Sequence, residues 1–549
     1  MELLLSLRMN KTYYRVLQLI SDRLIYYNHF MKANLNLCII SLCLLASISM
    51  SARELNLGEI FNEGAVLQRN SKVSIWGTSD SSATITITIQ NKKFTSTSDK
   101  TGNWKTDLSP LQEGGPYSMM VTSDHDTIQL KEIYVGEVWL AGGQSNMAFL
   151  LENSDNGKEE IEKAKNQNIH FVMVPYKAYE GDKNRGDMKW RTATTENVSK
   201  MSAVAYYFAK ELQQKLNVPV GVICCYKGGS GAETWMTRES LLNKPQLAPI
   251  VENYESYYSA LGKTKYLELV SKYDIELKQF QDSVKAGNKT LKSPKEPMGE
   301  QNYNRPFGLY YTMLKRVIPY SVKGTIWYQG EHNSPRAEQY RTLFPAMIEE
   351  WRTDFNNPAM PFLFVQLPGY ANADARNRPI WPELREAQLL TWQQVKNTGM
   401  AVTIDLGEKS TIHPPHKELV GKRLSAIALN TVYGIHVPYS GPVYKSIEIK
   451  RNRAILTFDF AFEGLKAQGE LQGFTICGND GNYIPAKAEI KDNQVVVWAK
   501  GVTSPVAVRY GWDNWTEANL TNSVGLPASP FRTDNFPLLT AGIKTIKYQ

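Results

Sequence analysis

Gly136-Glu137-Val138-Trp139-Leu140-Ala141-Gly142-Gly143-Gln144-Ser145-Asn146-Met147 is the stretch on which the reading of this chain turns. The apolar run Ile133–Leu140 predicts a buried strand. It is expected to stop at Ala141-Gly142-Gly143, small residues that permit a tight turn and close backbone approach. Ser145 is then expected where a helix begins, with its hydroxyl beyond the carboxyl end of a strand. Free N–H groups at such a helix start favour developing negative charge, which suits a serine nucleophile. The plainer alternative is a strand–turn–helix with Ser145 as the N-cap.

Downstream the chain alternates between strand and helix patterns. Apolar runs recur at Ile169–Val174, Val220–Cys225, Gly324–Tyr328, Phe362–Leu367 and Ala401–Asp405, with helical patterns at Ser202–Leu216, Ala337–Trp351 and Leu384–Val395. That rhythm predicts an α/β fold with a parallel sheet covered by helices on both faces. Ligands of such sheets bind beyond the carboxyl ends of the strands. The segment 237–302, rich in Lys, Glu, Tyr and Asn, breaks the rhythm and reads as a helical insertion on the rim. Short alternating runs on either side predict two β-sandwich domains: residues 53–130 before the α/β region (131–436), and 441–549 after it.

Residues 31–52 have a positive start, a short apolar centre and small exit residues, the three parts of a secretory signal peptide. Residues 1–30 precede it, so the true start is expected at Met31 and the leader spans 1–52. The expected address is periplasmic or secreted. The net charge of +8 falls to +5 without residues 1–50, and no basic stripe is present, which argues against a nucleic-acid partner. The apolar centre of the leader is too short for a stable membrane span. After cleavage three cysteines remain; Cys224 and Cys225 are adjacent in an apolar run and read as buried thiols.

Four strand ends carry unusual loops: Gly142–Asn146; Tyr226-Lys227-Gly228-Gly229-Ser230-Gly231-Ala232-Glu233-Thr234-Trp235; Gln329-Gly330-Glu331-His332-Asn333; and Asp405 through His416. Acyl transfer needs a nucleophile, a base near neutral pH, and donors where the oxyanion forms. Of seven histidines, His332, His413 and His416 fall at the crevice, and His413 is the best placed. Two prolines between His413 and His416 work against a metal pair, and neither a P-loop nor a G-x-G-x-x-G is present, so no metal or cofactor is called for. The absence of G-x-S-x-G argues against a lipase.

Gly143-Gln144-Ser145-Asn146-Met147, Lys227-Gly228-Gly229, Trp327-Tyr328-Gln329-Gly330-Glu331-x-Asn333, Leu384-Arg385-Glu386-Ala387-Gln388, and Asp405-Leu406-Gly407 with Ile412-His413-Pro414 together resemble the sialate O-acetylesterase family of SGNH/GDSL hydrolases. The resemblance runs from about Leu57 to near the C-terminus. It implies a three-layer SGNH-like sheet domain and a carbohydrate O-acetylesterase acting on 9-O-acetylated sialic acid or a related sugar. Ser145 would be the nucleophile and His413 the base. The Ser145 and Gly229 N–H groups, with Gln329 or Asn333, would form the oxyanion hole. The acid that the wider superfamily places three residues before the histidine is here Ser410. The orienting group is therefore open among Asp405, Glu408, Glu331 and a backbone carbonyl. Gln144, Trp235 and Arg385 are candidate substrate contacts. An acetylesterase for acetylated xylan, and a glycan-binding protein without catalysis, are the competing readings.

Overall fold

The apolar run around Trp139 forms the spine of the molecule. In the computed structural model it belongs to a 17-residue strand, β1 (Thr127–Gly143), longer at both ends than the sequence suggests. Residues 54–549 are described, except 184, 185, 289, 290, 375 and 549, together with 15, 16, 18, 19, 23 and 31. The expected leader otherwise lies outside the described residues. Leu55–Gln549 makes one compact unit.

β1 is joined by β2 (Lys165–Met173), β3 (Trp190–Thr194), β4 (Val220–Tyr226), β5 (Gly324–Tyr328), β6 (Phe362–Val365) and β7 (Thr398–Ala401), in the spatial order β3-β2-β4-β1-β5-β6-β7. All neighbours run parallel except the β3–β2 edge pair. Apart from Tyr226 at the end of β4, strands β4, β5 and β6 are buried along their length, which is why they read as unbroken apolar runs. β3 was not expected, and the last strand lies three residues earlier than Ala401–Asp405, leaving Asp405 in the short 3₁₀ turn Ile404–Leu406.

The first half of β1 pairs antiparallel with Gly114–Thr122 and parallel with Val66–Gln68, so the large sheet is mixed and has eleven strands. The position where the composition changes from all-β to alternating, near residue 130, therefore falls inside one continuous strand. Further sheets occupy the C-terminal part, with two of four strands and one of two. One apolar core runs from Leu55 to Val443, and a second from Ala454 to Phe531.

Six long helices complete the frame: α1 (Ala203–Leu216), α2 (Ala248–Leu261), α3 (Lys263–Lys285), α4 (Ala337–Asp354), α5 (Trp381–Gln394) and α6 (Lys417–Thr431). Ser202 caps α1, its hydroxyl accepting from Ala205 N–H at 3.2 Å. α1 packs on α6 and reaches β4, while α4 packs on α5 and α5 reaches β7. α2 and α3 are the long helices of the 237–302 segment, which also holds the short helix Arg238–Leu242. Among the described residues no helix is long and apolar enough to cross a membrane.

Candidate active site

Three strand ends meet around Ser145. β1 is the middle strand, and Gly143 at its end is in register with Tyr226 of β4 and Tyr328 of β5. Gly143 has φ +135, and a Cβ there would lie 2.2 Å from the Tyr328 carbonyl oxygen, so only glycine lets the strands approach this closely. The chain is then clamped on both sides. Gln144 N–H donates to the Tyr328 carbonyl at 3.0 Å, and Lys227 N–H donates to the Gly143 carbonyl at 3.1 Å.

No helix starts at Ser145, contrary to the sequence expectation. Residues 144–147 form a turn, closed by Ala148 N–H donating to the Gln144 carbonyl at 2.9 Å. The reason lies in the clamps, which hold the turn in a path set by the neighbouring strands rather than by an extending helix. The anion-favouring groups are thus local N–H donors and not a helix dipole.

The β4 loop presents its glycines to this turn. A Cβ on Gly228 would sit 3.6 Å from Ser145 Cβ, so the Gly228 backbone lies in contact range of the serine. Gly229 has φ +77, a conformation that turns the peptide and suits glycine; a Cβ there would meet the Tyr303 hydroxyl at 2.9 Å. Ser145 and His413 are both half-buried.

Among the described residues no hydrogen bond joins Ser145 to His413. The residues beside them are joined instead: Asn146 Nδ2 donates to the Ile412 carbonyl at 3.0 Å. Loose catalytic hydrogen bonds are common before substrate binds. Burial lowers the His413 pKa, and the nearby Lys417 charge lowers it further, so its imidazole is neutral and able to accept a proton at neutral pH.

The other sequence candidates divide. Glu331 accepts from Asn146 Nδ2 through Oε1 at 2.6 Å, while its Oε2 is buried without a partner. Burial raises this carboxyl, only partly offset by Asn146 and Lys417. Gln144 is buried, with Oε1 facing the Gly330 and His332 N–H groups at 3.5 and 3.4 Å; it is a weak staple between two loops rather than a surface contact.

Several assigned roles do not fit. Gln329 and Asn333 are buried and committed to one another: Gln329 Nε2 donates to Asn333 Oδ1 at 2.6 Å and to the Ser230 carbonyl, and Asn333 Nδ2 donates to Glu233 Oε2 at 2.7 Å. Both N–H donors of Gln329 are therefore spent, while Asn333 keeps one N–H beyond its bond to Glu233 on a side chain that is buried. Trp235 is fully buried, donating to Ser230 Oγ and packed edge-on against Trp327, so it is core and not a sugar platform. Arg385 is also fully buried, its guanidinium donating to the carbonyls of Leu367, Pro368, Gly511, Asp513 and Asn514. It ties the sheet to the C-terminal part and can reach neither substrate nor Glu331. Asp405 forms a two-pronged ion pair with Arg423, at 2.6 Å for each bond. His416 is paired with Asp155, and Glu408 lies 3.6 Å from its Nε2.

Sequence reasoning missed Lys417, whose Nζ donates to Asn146 Oδ1 at 2.6 Å from a fully buried position. It also missed Glu233, which pairs with Arg336 and holds Asn333, and Lys227. The Lys227 ammonium sits over the rings of Tyr176 and Tyr303, 3.8 and 4.8 Å from their centroids. Lys227 and Glu233 stand in the β4 loop that the sequence singles out, but nothing in the charge pattern gives them a role, and Lys417 lies outside every quoted motif.

The family described as carbohydrate esterase, sialic acid-specific acetylesterase matches residues 135–277 and 297–430. The match breaks only inside the 237–302 segment. Sialate O-acetylesterase of Mus musculus is 27% identical over 553 residues, covering 90% of this chain and 97% of its own. That of Homo sapiens is 26% identical over 519 residues, covering 86% and 91%. The crystal structure of a carbohydrate acetylesterase from Xanthomonas citri is similar over 88% of this chain and 100% of its own, with 34% identity and a TM-score of 0.74.

Proposed function

This chain belongs to the sialic acid-specific acetylesterase family of carbohydrate esterases, and from that premise we propose that it removes O-acetyl groups from 9-O-acetylated sialic acid or a closely related acidic sugar. The carbohydrate esterase activity follows from the family. The sugar and the mechanism are our reading. Ser145 Oγ attacks the acetyl carbonyl while His413 takes its proton. The tetrahedral oxyanion is met by the Ser145 and Gly229 N–H groups. His413 then protonates the sugar alkoxide as it leaves, and a water molecule, activated by the same imidazole, releases acetate from Ser145. His413 works without a carboxylate partner, in a Ser–His dyad.

The observation that carries the acidic-sugar reading is Lys227. It follows directly on β4, its neighbour Gly228 lies against Ser145, and among the described residues it makes no ion pair, although the charge of Glu296 acts on it. Two tyrosine rings hold its ammonium in place. A fixed cation on the loop that packs against the nucleophile suits a substrate that carries its own carboxylate. The reading also includes export through the 31–52 leader to the periplasm or beyond, an SGNH-type three-layer core over 131–436, and flanking β-sandwiches at 53–130 and 441–549.

The test is acetate release from 4-nitrophenyl acetate and from 9-O-acetylated sialic acid by wild type, Ser145→Ala and Lys227→Met. Ser145→Ala is expected to lose at least about a thousandfold in kcat on both esters. Lys227→Met is expected to raise KM for the sialate ester and leave the neutral ester unaffected. An equal effect of Lys227→Met on both esters, or a preference for acetylated xylan, would move the substrate to neutral glycans. No acetate release from either ester by the wild type would leave glycan binding as the function.

A further inference from the structure

The mechanism above does not use Lys417, and its position is costly. It is the first residue of α6, where the helix dipole disfavours a cation. It is also fully buried, and burial pushes the ammonium down to about 7, with Glu331 and Asp155 only partly offsetting this. The rings of Phe149 and Tyr328 lie 4.8 and 5.4 Å from it. A charge held against these costs is explained by what it touches.

Its contact is the Asn146 amide, and a charged lysine can only donate. Asn146 must therefore turn Oδ1 toward Lys417, which aims Nδ2 at Glu331 Oε1 and the Ile412 carbonyl, at 2.6 and 3.0 Å. Without that donor the amide is free to flip and present oxygen to two acceptors. One ammonium thus sets the polarity of the link between the residue after Ser145 and the residue before His413. The same charge faces His413, and the other charged groups around it are Glu331 and Asp155.

We propose that Lys417 is a positioning residue of the esterase site: its buried ammonium locks the Asn146 amide that spaces Ser145 from His413, and its charge opposes a second positive charge on the imidazole. This rests on Ser145 and His413 being the reacting pair. Below pH 6.5, where a histidine begins to bind protons, Lys417 is still charged, so both effects act together.

The experiment compares pH profiles of kcat and KM on 4-nitrophenyl acetate for the full chain, Lys417→Met, Lys417→Gln and Ser145→Ala. Lys417→Met is expected to lower kcat by about tenfold to a hundredfold through misplacement, with KM little changed. Its acidic limb is expected to move to higher pH, because removing a nearby cation lets His413 hold its proton longer. Lys417→Gln keeps a donor for Asn146 Oδ1 without the charge, so it should recover most of kcat and keep the displaced limb. A folded Lys417→Met with wild-type kcat and an unmoved limb overturns the proposal, as does loss of kcat in both variants with the limb unmoved. If Lys417→Met does not fold, the limb of Lys417→Gln decides alone. Wild-type activity in Ser145→Ala would instead overturn the reading of the reacting pair.

Discussion

Glu233 and Glu331 are both buried carboxylates next to the crevice, each accepts from an asparagine amide, and each has one cation close by. Their states are nevertheless opposite. Burial alone would raise Glu233, but Arg336 reaches its Oε1 directly, Asn333 takes Oε2, and the carboxyl is held down at about 2. For Glu331, burial prevails and the carboxyl is raised, because Lys417 reaches Asn146 rather than the carboxylate, and Oε2 has no hydrogen-bond partner. The difference lies in the cation. An arginine fork can satisfy a carboxylate and a second acceptor together, and Arg336 also holds Gln339 Oε1 at 2.9 Å. A buried lysine with one directed bond cannot. Glu233 therefore belongs to a rigid floor, and Glu331 to a network that stays sensitive to protons.

The largest expected effect is on the floor. Glu233→Gln leaves Arg336 buried without its counter-charge and should destabilise the protein by about 3–5 kcal/mol, read as a lower denaturant midpoint. The pH dependence gives a second check. Because the folded value is depressed, the pair's contribution is complete above 4.5 and is lost as pH falls toward about 2. Wild type should therefore lose its advantage over Glu233→Gln in that window. An advantage that persists at pH 2 would mean that the carboxylate is not what holds the floor.

Glu331→Gln should behave differently, changing stability by no more than about 1 kcal/mol at pH 5, since one oxygen has no partner to lose. Its sign with pH is also reversed. A raised carboxyl gives up its proton later in the folded state than in the unfolded one, so wild-type stability falls as pH rises above 4.5 and the glutamine variant gains on it. Denaturant midpoints of both proteins between pH 4 and 8 check this. Parallel behaviour of Glu233→Gln and Glu331→Gln would erase the contrast between the two sites.

The sequence showed where the chemistry lies better than which atoms perform it. Buried parallel strands read as apolar runs, and the loops after them carry glycines and polar clusters, so Ser145, Gly228–Gly229, Glu331 and His413 are gathered as their order along the chain suggests. Partner choice was not legible. Arg385 looked like a substrate contact, yet its guanidinium is saturated by carbonyls from residues 511–514, over a hundred positions away. Trp235 sits in a glycine-rich loop but is drawn into an aromatic stack with Trp327 and Trp351, worth about 0.5–1.5 kcal/mol per ring pair. The edge strand β3 escaped notice because a half-exposed Trp-Arg-Thr-Ala-Thr segment has no clear period. Lys417 reads as an ordinary surface lysine at the head of an amphipathic helix, and only tertiary contacts reveal it.

A third carboxylate sharpens the contrast from outside. Asp405 stood among the candidates for orienting His413, and its loop leads toward that residue. Its side chain is turned to Arg423, which grips both oxygens at 2.6 Å from the first half of α6 and also bonds the Val402 carbonyl. Like Glu233 it is satisfied by an arginine fork, but it is exposed, so water screens the pair and replaces whatever bond is lost. Asp405→Asn keeps one acceptor for Arg423 and should cost under about 1 kcal/mol, with kcat on 4-nitrophenyl acetate close to wild type. Removing the orienting carboxylate of a serine triad while leaving geometry intact costs about 10⁴-fold in kcat, so the two outcomes are far apart. A loss of that size in Asp405→Asn would mean that Asp405 leaves Arg423 for His413 once substrate is bound, and that the dyad is a triad in the working state.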